Sequence, residues 1–389
     1  MKLSIKVILE ELFPKIVEIR RHIHQHPELA YEEVATASTI SNALKDFGLD
    51  AATVSKTGVY AVLDSGKPGK TVALRAELDA LPIQEETNLP YESKNTGKMH
   101  ACGHDGHIAT LIAVAGALTQ CKDSFKGKIK FIFQPAEETG TGAIEIIKNG
   151  ILEHPKVDAI FGCHSTHRYE ALTLATKFGC LMAGHDTFTI SIQGQSGYVS
   201  SSHLACDPIY IGSLIVQALQ NIQSRATSPL EPTIIAITQF HSGNSYNFIP
   251  DEVLLNGSIR TILSTTQTQI KQQVTKIATE IATAFGAKAI VKFEHGIPPM
   301  LNSQEETELV IKTAQHILGK ENVMSTMNTV MAPEGFSNYL EYIPGCFFFI
   351  GNGLEQGMLH KSNYKFNDEI ISVTAEILSN VAVNYLNSH

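Results

Sequence analysis

No run of basic residues occurs in the 389-residue chain, and 30 lysines and arginines against 39 aspartates and glutamates leave a formal net charge of -9. That balance speaks against a nucleic-acid partner. An uninterrupted apolar stretch is also missing from residues 1–21, where charged residues and Pro14 break up the apolar positions. The N-terminus therefore reads as neither a signal peptide nor a membrane span, and the expectation is a cytoplasmic protein with no membrane partner. The six cysteines (Cys102, Cys121, Cys163, Cys180, Cys206 and Cys346) are scattered without a C-x-x-C pair. This excludes a disulfide framework and leaves most of them as buried apolar fillers. Two catalytic signatures are absent as well. Without G-x-S-x-G, whose spacing residues 194–197 do not have, a serine hydrolase is disfavoured, and without H-E-x-x-H a zincin is excluded.

What is present starts with size: 389 residues at 43% hydrophobic content can bury a large core, as two domains or as one with an insertion. The densest chemistry lies at 100–107, HACGHDGH, which holds three histidines, a cysteine and an aspartate. If Cys102 to His104 is extended, alternation places thiolate and imidazole on one face, where they could share an ion. The glycines let the backbone approach that ion and turn into the apolar run 108–118, which reads as a helix. His22, His24 and His26 attract attention too. On a helix after Pro14 they point in different directions, so they read as a solvated or capping face.

Along the chain, a second helix at 33–47 leads to short strands near Val54, 58–63 and 70–74. GKPGKT at 66–71 looks like a phosphate loop but has Asp64 in place of the required glycine and a strand where a helix is needed, so it reads as a hairpin turn. Strand 71–74 runs into RAELDALP, where Asp79 is either a site carboxylate at a strand end or a turn cap. Strand 128–133 breaks at QPAEE, and two adjacent carboxylates there invite a division of labour, one on a metal and one handling protons. Strand 157–161 ends in GCHSTH, and strand 345–351 precedes a glycine-rich loop and His360. Between 184 and 295 the texture changes to a strand-helix-strand-strand-helix-strand series, an α+β unit complete in itself.

These segments together resemble the dinuclear-metal amidohydrolases and carboxypeptidases that include carboxypeptidase G, aminoacylase, hippurate hydrolase and the plant auxin-conjugate hydrolases. The branch of N-acyl-L-amino acid amidohydrolases is the nearest pattern. The resemblance rests on RHIHQHP at 21–27, LRAELDALP at 74–82, MHACGHDGH at 99–107, QPAEE at 134–138, NFIP at 247–250, GSIRT at 257–261 and Leu359-His360, and it covers nearly the whole chain. It implies an α/β catalytic domain, residues 1–183 and 296–389, with a central mixed sheet flanked by helices as in phosphorylase/hydrolase-like folds. It also implies that 184–295 is a ferredoxin-like lid and dimerisation domain, giving a homodimer. Cys102, His104, Glu138, His164 and His360 would bind one or two divalent ions, Zn, Mn or Co. Glu137 would be the general base, Asp79 a carboxylate orienting a ligand, and Tyr198, Asn247 and Arg260 substrate contacts. The implied reaction is hydrolysis of an N-acyl-L-amino acid to a carboxylate and a free amino acid, by metal-activated water. The alternative is a metal-binding homologue with little or no activity that acts as a sensor or scaffold. Three positions depart from the pattern: Glu77 and Gly335 stand where the family has Asp, and Tyr198 where it has His.

Overall fold

The computed structural model describes residues 4–294 and 296–389. The chain divides into two compact units. One comprises the residues up to Leu181 with Leu301–Asn328 and Asn338–His389, and the other comprises Met182–Met300 with Thr329–Ser337.

The first unit is built on an eight-stranded mixed sheet. Its strands run in the order Ala51–Val54, Gly58–Asp64, Lys128–Gln134, Thr71–Glu77, Ala159–Thr166, Gly345–Gly351, Leu174–Ala175, Val323–Met324. The four strands from Lys128–Gln134 to Gly345–Gly351 are parallel. Three of these four, Thr71–Glu77, Ala159–Thr166 and Gly345–Gly351, are buried along their whole length. Parallel strands covered on both faces need near-continuous apolar sequence, and these supply it. Their carboxyl ends lie at one edge of the sheet, where Glu77, Gln134, His164 and Gly351 occur. Helix His104–Gln120 is buried from His104 to Leu118 and packs between helices Ile5–Gln25 and Ile370–Ser388.

Two local expectations are corrected. The segment at 66–71 is not a hairpin turn, because Gly58–Asp64 and Thr71–Glu77 both pair with Lys128–Gln134, which lies between them. Their connection instead closes around Gly127, whose N–H donates to Lys67 O at 2.9 Å. A Cβ on Gly127 would come within 2.1 Å of Lys70 O, so the close approach requires glycine. The first helix does not begin after Pro14 but at Ile5, capped by Ser4, and runs through it. Pro14 is exposed, as is Glu10, the residue whose carbonyl loses its helical N–H partner, so the break costs no buried hydrogen bond.

The second unit carries an antiparallel sheet in the order Thr233–Ser242, Glu252–Thr261, Gly184–Gln193, Lys288–Phe293. With helices Pro208–Asn221 and Ser264–Ala284 between strands, this is the ferredoxin-like order. Alternation decides the buried face. Phe188, Ile190 and Ile192 join Val253, Leu255 and Ile259 under Ile211, Ile215 and Leu219 of one helix and Ile270, Val274 and Ala278 of the other. Asp207 caps the first helix by accepting the Ile209 N–H at 2.9 Å, with Pro208 at its first turn.

Candidate metal centre

Cys102 and His104 meet by a different route from the alternation that the sequence suggested. The helix begins at His104 rather than at 108, and Gly103 before it is left-handed, with φ of 87°. A side chain there would collide with the Ser165 and Tyr364 hydroxyls at 2.8 Å, and one at Gly106 would enter the Phe366 ring. The two glycines therefore seat the helix N-terminus against the ends of the neighbouring strands.

Around that N-terminus the strand ends converge. Cys102 Sγ lies 3.3 Å from His164 Nε2 and 3.2 Å from His360 Nε2. Glu138 Oε1 lies 3.5 Å from His360 Nε2 and 4.0 Å from His104 Nε2. Candidate ligand atoms of Cys102, His104 and His164, of Cys102, Glu138 and His360, and of His104, Glu137 and Glu138 fall within 4.8 Å of one another. His360 comes from a backbone with φ of 64°, unusual for a residue with a Cβ, held by its N–H to Ala101 O at 2.8 Å.

Two of the three rings, His104 and His164, are each aimed by a fixed acceptor. His104 Nδ1 donates to the main-chain carbonyl of Asp79 at 2.8 Å, with the Asp79 carboxylate farther away at 3.5 Å. His164 Nδ1 donates to Ser165 O at 2.6 Å. In both rings the Nε2 lone pair is left to face the cluster. The Asp79 carboxylate accepts the N–H of Glu137 on one oxygen and that of Glu138 on the other, each at 2.9 Å. Burial favours its neutral form, but His104 and these two amides outweigh burial and hold its pKa below the usual carboxylate range. Burial, reinforced by the nearby Glu138 charge, pushes the Cys102 thiol well up, and burial with His107 alongside pushes His164 down.

The donor set fits a divalent ion. His104 Nε2 and Glu138 Oε1 are buried and have no hydrogen-bond partner among the described residues, although they face each other. The sulfur–nitrogen separations are also close to the roughly 3.5 Å between two ligands of one tetrahedral ion with bonds of about 2.3 and 2.0 Å. Thiolate, imidazole and carboxylate together suit Zn(II), and the oxygen ligand is compatible with Mn(II) or Co(II).

The family model of peptidase family M20/M25/M40 matches residues 73–384. The chain belongs to this family. It is accordingly a hydrolase acting on amide bonds, as the sequence indicated. Among M20 relatives, the N-acetyl-L-cysteine deacetylase of Bacillus subtilis is 41% identical over 346 residues, 89% of this chain and 82% of its own. A crystal structure from methicillin resistant Staphylococcus aureus is 34% identical with a TM-score of 0.94, covering 100% of both chains. A Bacillus subtilis protein, described as a dinuclear metal binding peptidase from the M20 family, is 33% identical with a TM-score of 0.85, covering 97% of this chain and 99% of its own.

Of the residues singled out in this M20 chain, Asp79, Cys102, His104, Glu137, Glu138, His164 and His360 all lie in the first unit. Tyr198, Asn247 and Arg260 belong to the second. Tyr198 is exposed and pairs with Phe248 on a short ribbon, where Asn247 O accepts the Val199 N–H at 3.1 Å. Arg260 lies opposite His185 in the sheet and has a buried Nη1 without a partner among the described residues.

The sequence reading missed the supporting charges. His24 is not on a solvated face: it is 1% exposed and bonds to Asp105 at 2.8 Å and Glu85 at 3.1 Å. Arg20, one turn before it, pairs with the same Asp105 at 2.8 Å. His26 does cap the helix, its Nδ1 donating to His22 O at 2.8 Å. Beneath the cluster, Arg75 is ion-paired with Glu77, and Glu77 accepts from His107 Nδ1 at 3.0 Å. Burial raises the Glu77 pKa, but Arg75 and His107 overcome it and hold the carboxyl well below its usual range. The i, i+2 spacing of Arg75 and Glu77 inside an apolar strand was the available signal. Both point to one face, and buried charges there must pair.

Proposed function

We propose that the chain hydrolyses N-acyl-L-amino acids to a carboxylate and a free amino acid, with Cys102, His104, Glu138, His164 and His360 holding two divalent ions. The observation that carries this reading is the convergence of those five side chains, with two unpartnered buried donor atoms among them, beside Glu137. The names of the relatives support it. Bound ions would supply a water whose pKa is lowered from about 15.7 toward about 7. Glu137 takes a proton from the water and delivers it to the leaving amine, the general-base role that its place beside the cluster suits. Asp79 serves both sides of the site, fixing His104 through its carbonyl and the 137–138 backbone through its carboxylate. Tyr198, Asn247 and Arg260 are assigned to the substrate, a role supported by the exposed Tyr198 on its short ribbon beside Asn247 and by the buried Nη1 of Arg260, which has no partner among the described residues.

The second unit is assigned the lid and dimerisation roles. Strand Thr233–Ser242 lies at the edge of its sheet and exposes Ile234 and Phe240, an edge that a second copy would cover. Sedimentation showing a monomer at micromolar concentration would reject the homodimer. The six cysteines are all free, which is in keeping with a cytoplasmic location. The test of the reaction is release of free amino acid from a panel of N-acetyl, N-benzoyl and N-succinyl amino acids, after reconstitution with Zn(II), Mn(II) or Co(II) and again after chelation. No release with any metal would overturn the N-acyl-L-amino acid reading.

A further inference from the structure

Glu33 is a fully buried carboxylate that the reaction above does not use. It stands at the start of helix Val34–Asp46, yet its side chain makes no capping bond there. One oxygen instead accepts the N–H of Ala136 at 2.9 Å, and the other accepts the Thr57 hydroxyl at 2.6 Å. Ala136 is the residue before Glu137, and its φ of 51° lies in the left-handed region, where a Cβ is disfavoured. Such a conformation persists only where its surroundings over-determine it. Here they do. Ala136 O accepts from Gly142 N and from the Thr139 hydroxyl, both at 3.1 Å, and a Cβ on Gly142 would come within 1.7 Å of Pro135 O. Three consecutive amides, those of Ala136, Glu137 and Glu138, are thus each held by a carboxylate oxygen, the first by Glu33 and the other two by Asp79.

We propose that Glu33 is a positioning residue: by holding the Ala136 amide it keeps that residue left-handed and so aims the Glu137 carboxylate. Without this bond Ala136 relaxes toward negative φ, and the peptide that carries the base swings with it. The proposal rests on Glu137 being the general base.

The experiment compares Glu33→Ala, Glu33→Gln, Ala136→Gly and the double variant Glu33→Ala/Ala136→Gly, all metal-reconstituted. A misplacement of about 1 Å at a reacting group costs on the order of 100-fold, so Glu33→Ala should lower kcat by at least about tenfold at little-changed KM. Gln retains an acceptor for the Ala136 amide and should keep kcat within about threefold of the parent. Glycine adopts positive φ without penalty, so Ala136→Gly should restore most of the kcat lost in the Glu33→Ala background. A purely structural role for Glu33 predicts no such rescue. Amide exchange at Ala136, read independently of activity, should accelerate in Glu33→Ala. If Glu33→Ala does not fold, Glu33→Asp, one methylene too short to reach Ala136, takes its place with the same expectations. Unchanged exchange at Ala136, or a kcat loss that Ala136→Gly leaves intact, would overturn the proposal. Activity surviving in Glu137→Gln would instead overturn the base assignment, while the exchange result would still report on Glu33.

Discussion

Asp79→Asn separates the two jobs of a single residue. Asparagine preserves the shape of the side chain and the main-chain carbonyl that receives His104 Nδ1 at 2.8 Å, so the orientation of that ligand should survive. The loop clamp should not. The two carboxylate oxygens accept the Glu137 and Glu138 amides at 2.9 Å each, and an amide group offers only one acceptor to those two donors. One charge-assisted bond weakens to a neutral one, and the other amide is left facing an NH2. A hydrogen bond to a charged group contributes about 1.5–3 kcal/mol, and an unsatisfied buried donor costs about 1–3 kcal/mol. Allowing half of the first contribution to survive in the neutral bond, the sum is about 1.8–4.5 kcal/mol. If it falls on the transition state, at about 1.4 kcal/mol per decade, kcat/KM drops by roughly 20- to 1,600-fold. The assay is amino-acid release at saturating metal, with metal content measured on the same sample. Occupancy should fall in part through the displaced Glu138. Activity within threefold of the parent at full occupancy would refute the clamp.

Glu137→Gln should leave metal content intact and lower kcat by at least about 100-fold, the loss of a general base, while Glu138→Gln should reduce metal content in elemental analysis. Exchanged behaviours would reverse the two roles. Tyr198 keeps a hydrogen-bond donor where the family has histidine but carries no positive charge, so Tyr198→His should raise kcat on simple N-acyl amino acids and Tyr198→Phe should lower it. Unchanged kinetics in both would remove Tyr198 from the reaction. Burial lowers the His24 pKa, but the Asp105 charge and the bonds to Asp105 and Glu85 prevail and raise it above its usual 6.5. His24 therefore contributes stability that is fully present below pH 6.5 and is lost as pH rises through its folded value. In urea unfolding of the metal-free protein, that part of the decline above pH 6.5 should be missing from His24→Gln.

The sequence was most informative where one kind of residue had one place to go. Strands that end in acids or histidines marked a candidate site at the carboxyl ends of a sheet, and candidate ligand atoms of Cys102, His104, Glu138, His164 and His360 lie close together there; the mixed character of the sheet came from the family resemblance. Less was legible where partners are distant in sequence. His24 looked solvated because His22, His24 and His26 point in different directions on a helix; its partners Asp105 and Glu85 arrive only through the fold. Glu33 read only as the start of a helix, and its partners Thr57 and Ala136 are likewise supplied by the fold. The glycine turn that brings Cys102 toward His104 depends on Ser165, Tyr364 and Phe366, which no local pattern around 100–107 reveals.

The order of strands in the first unit has a consequence for how the chain is made on the ribosome. Gly58–Asp64 and Thr71–Glu77 emerge together on a short connection but lie on either side of Lys128–Gln134. With strands about 4.8 Å apart in a sheet, the two stand roughly 10 Å apart in the finished fold, and the strand between them is not available until Lys128–Gln134 has been synthesised. A nascent chain that ends before Lys128 has its native partner strand missing and its two neighbours free to zip against each other. The same chain has also not yet made Glu137 or Glu138. Completion of the sheet centre and delivery of the acidic loop are thus one event in synthesis, because the strand that fills the gap is the one that carries the loop at its end.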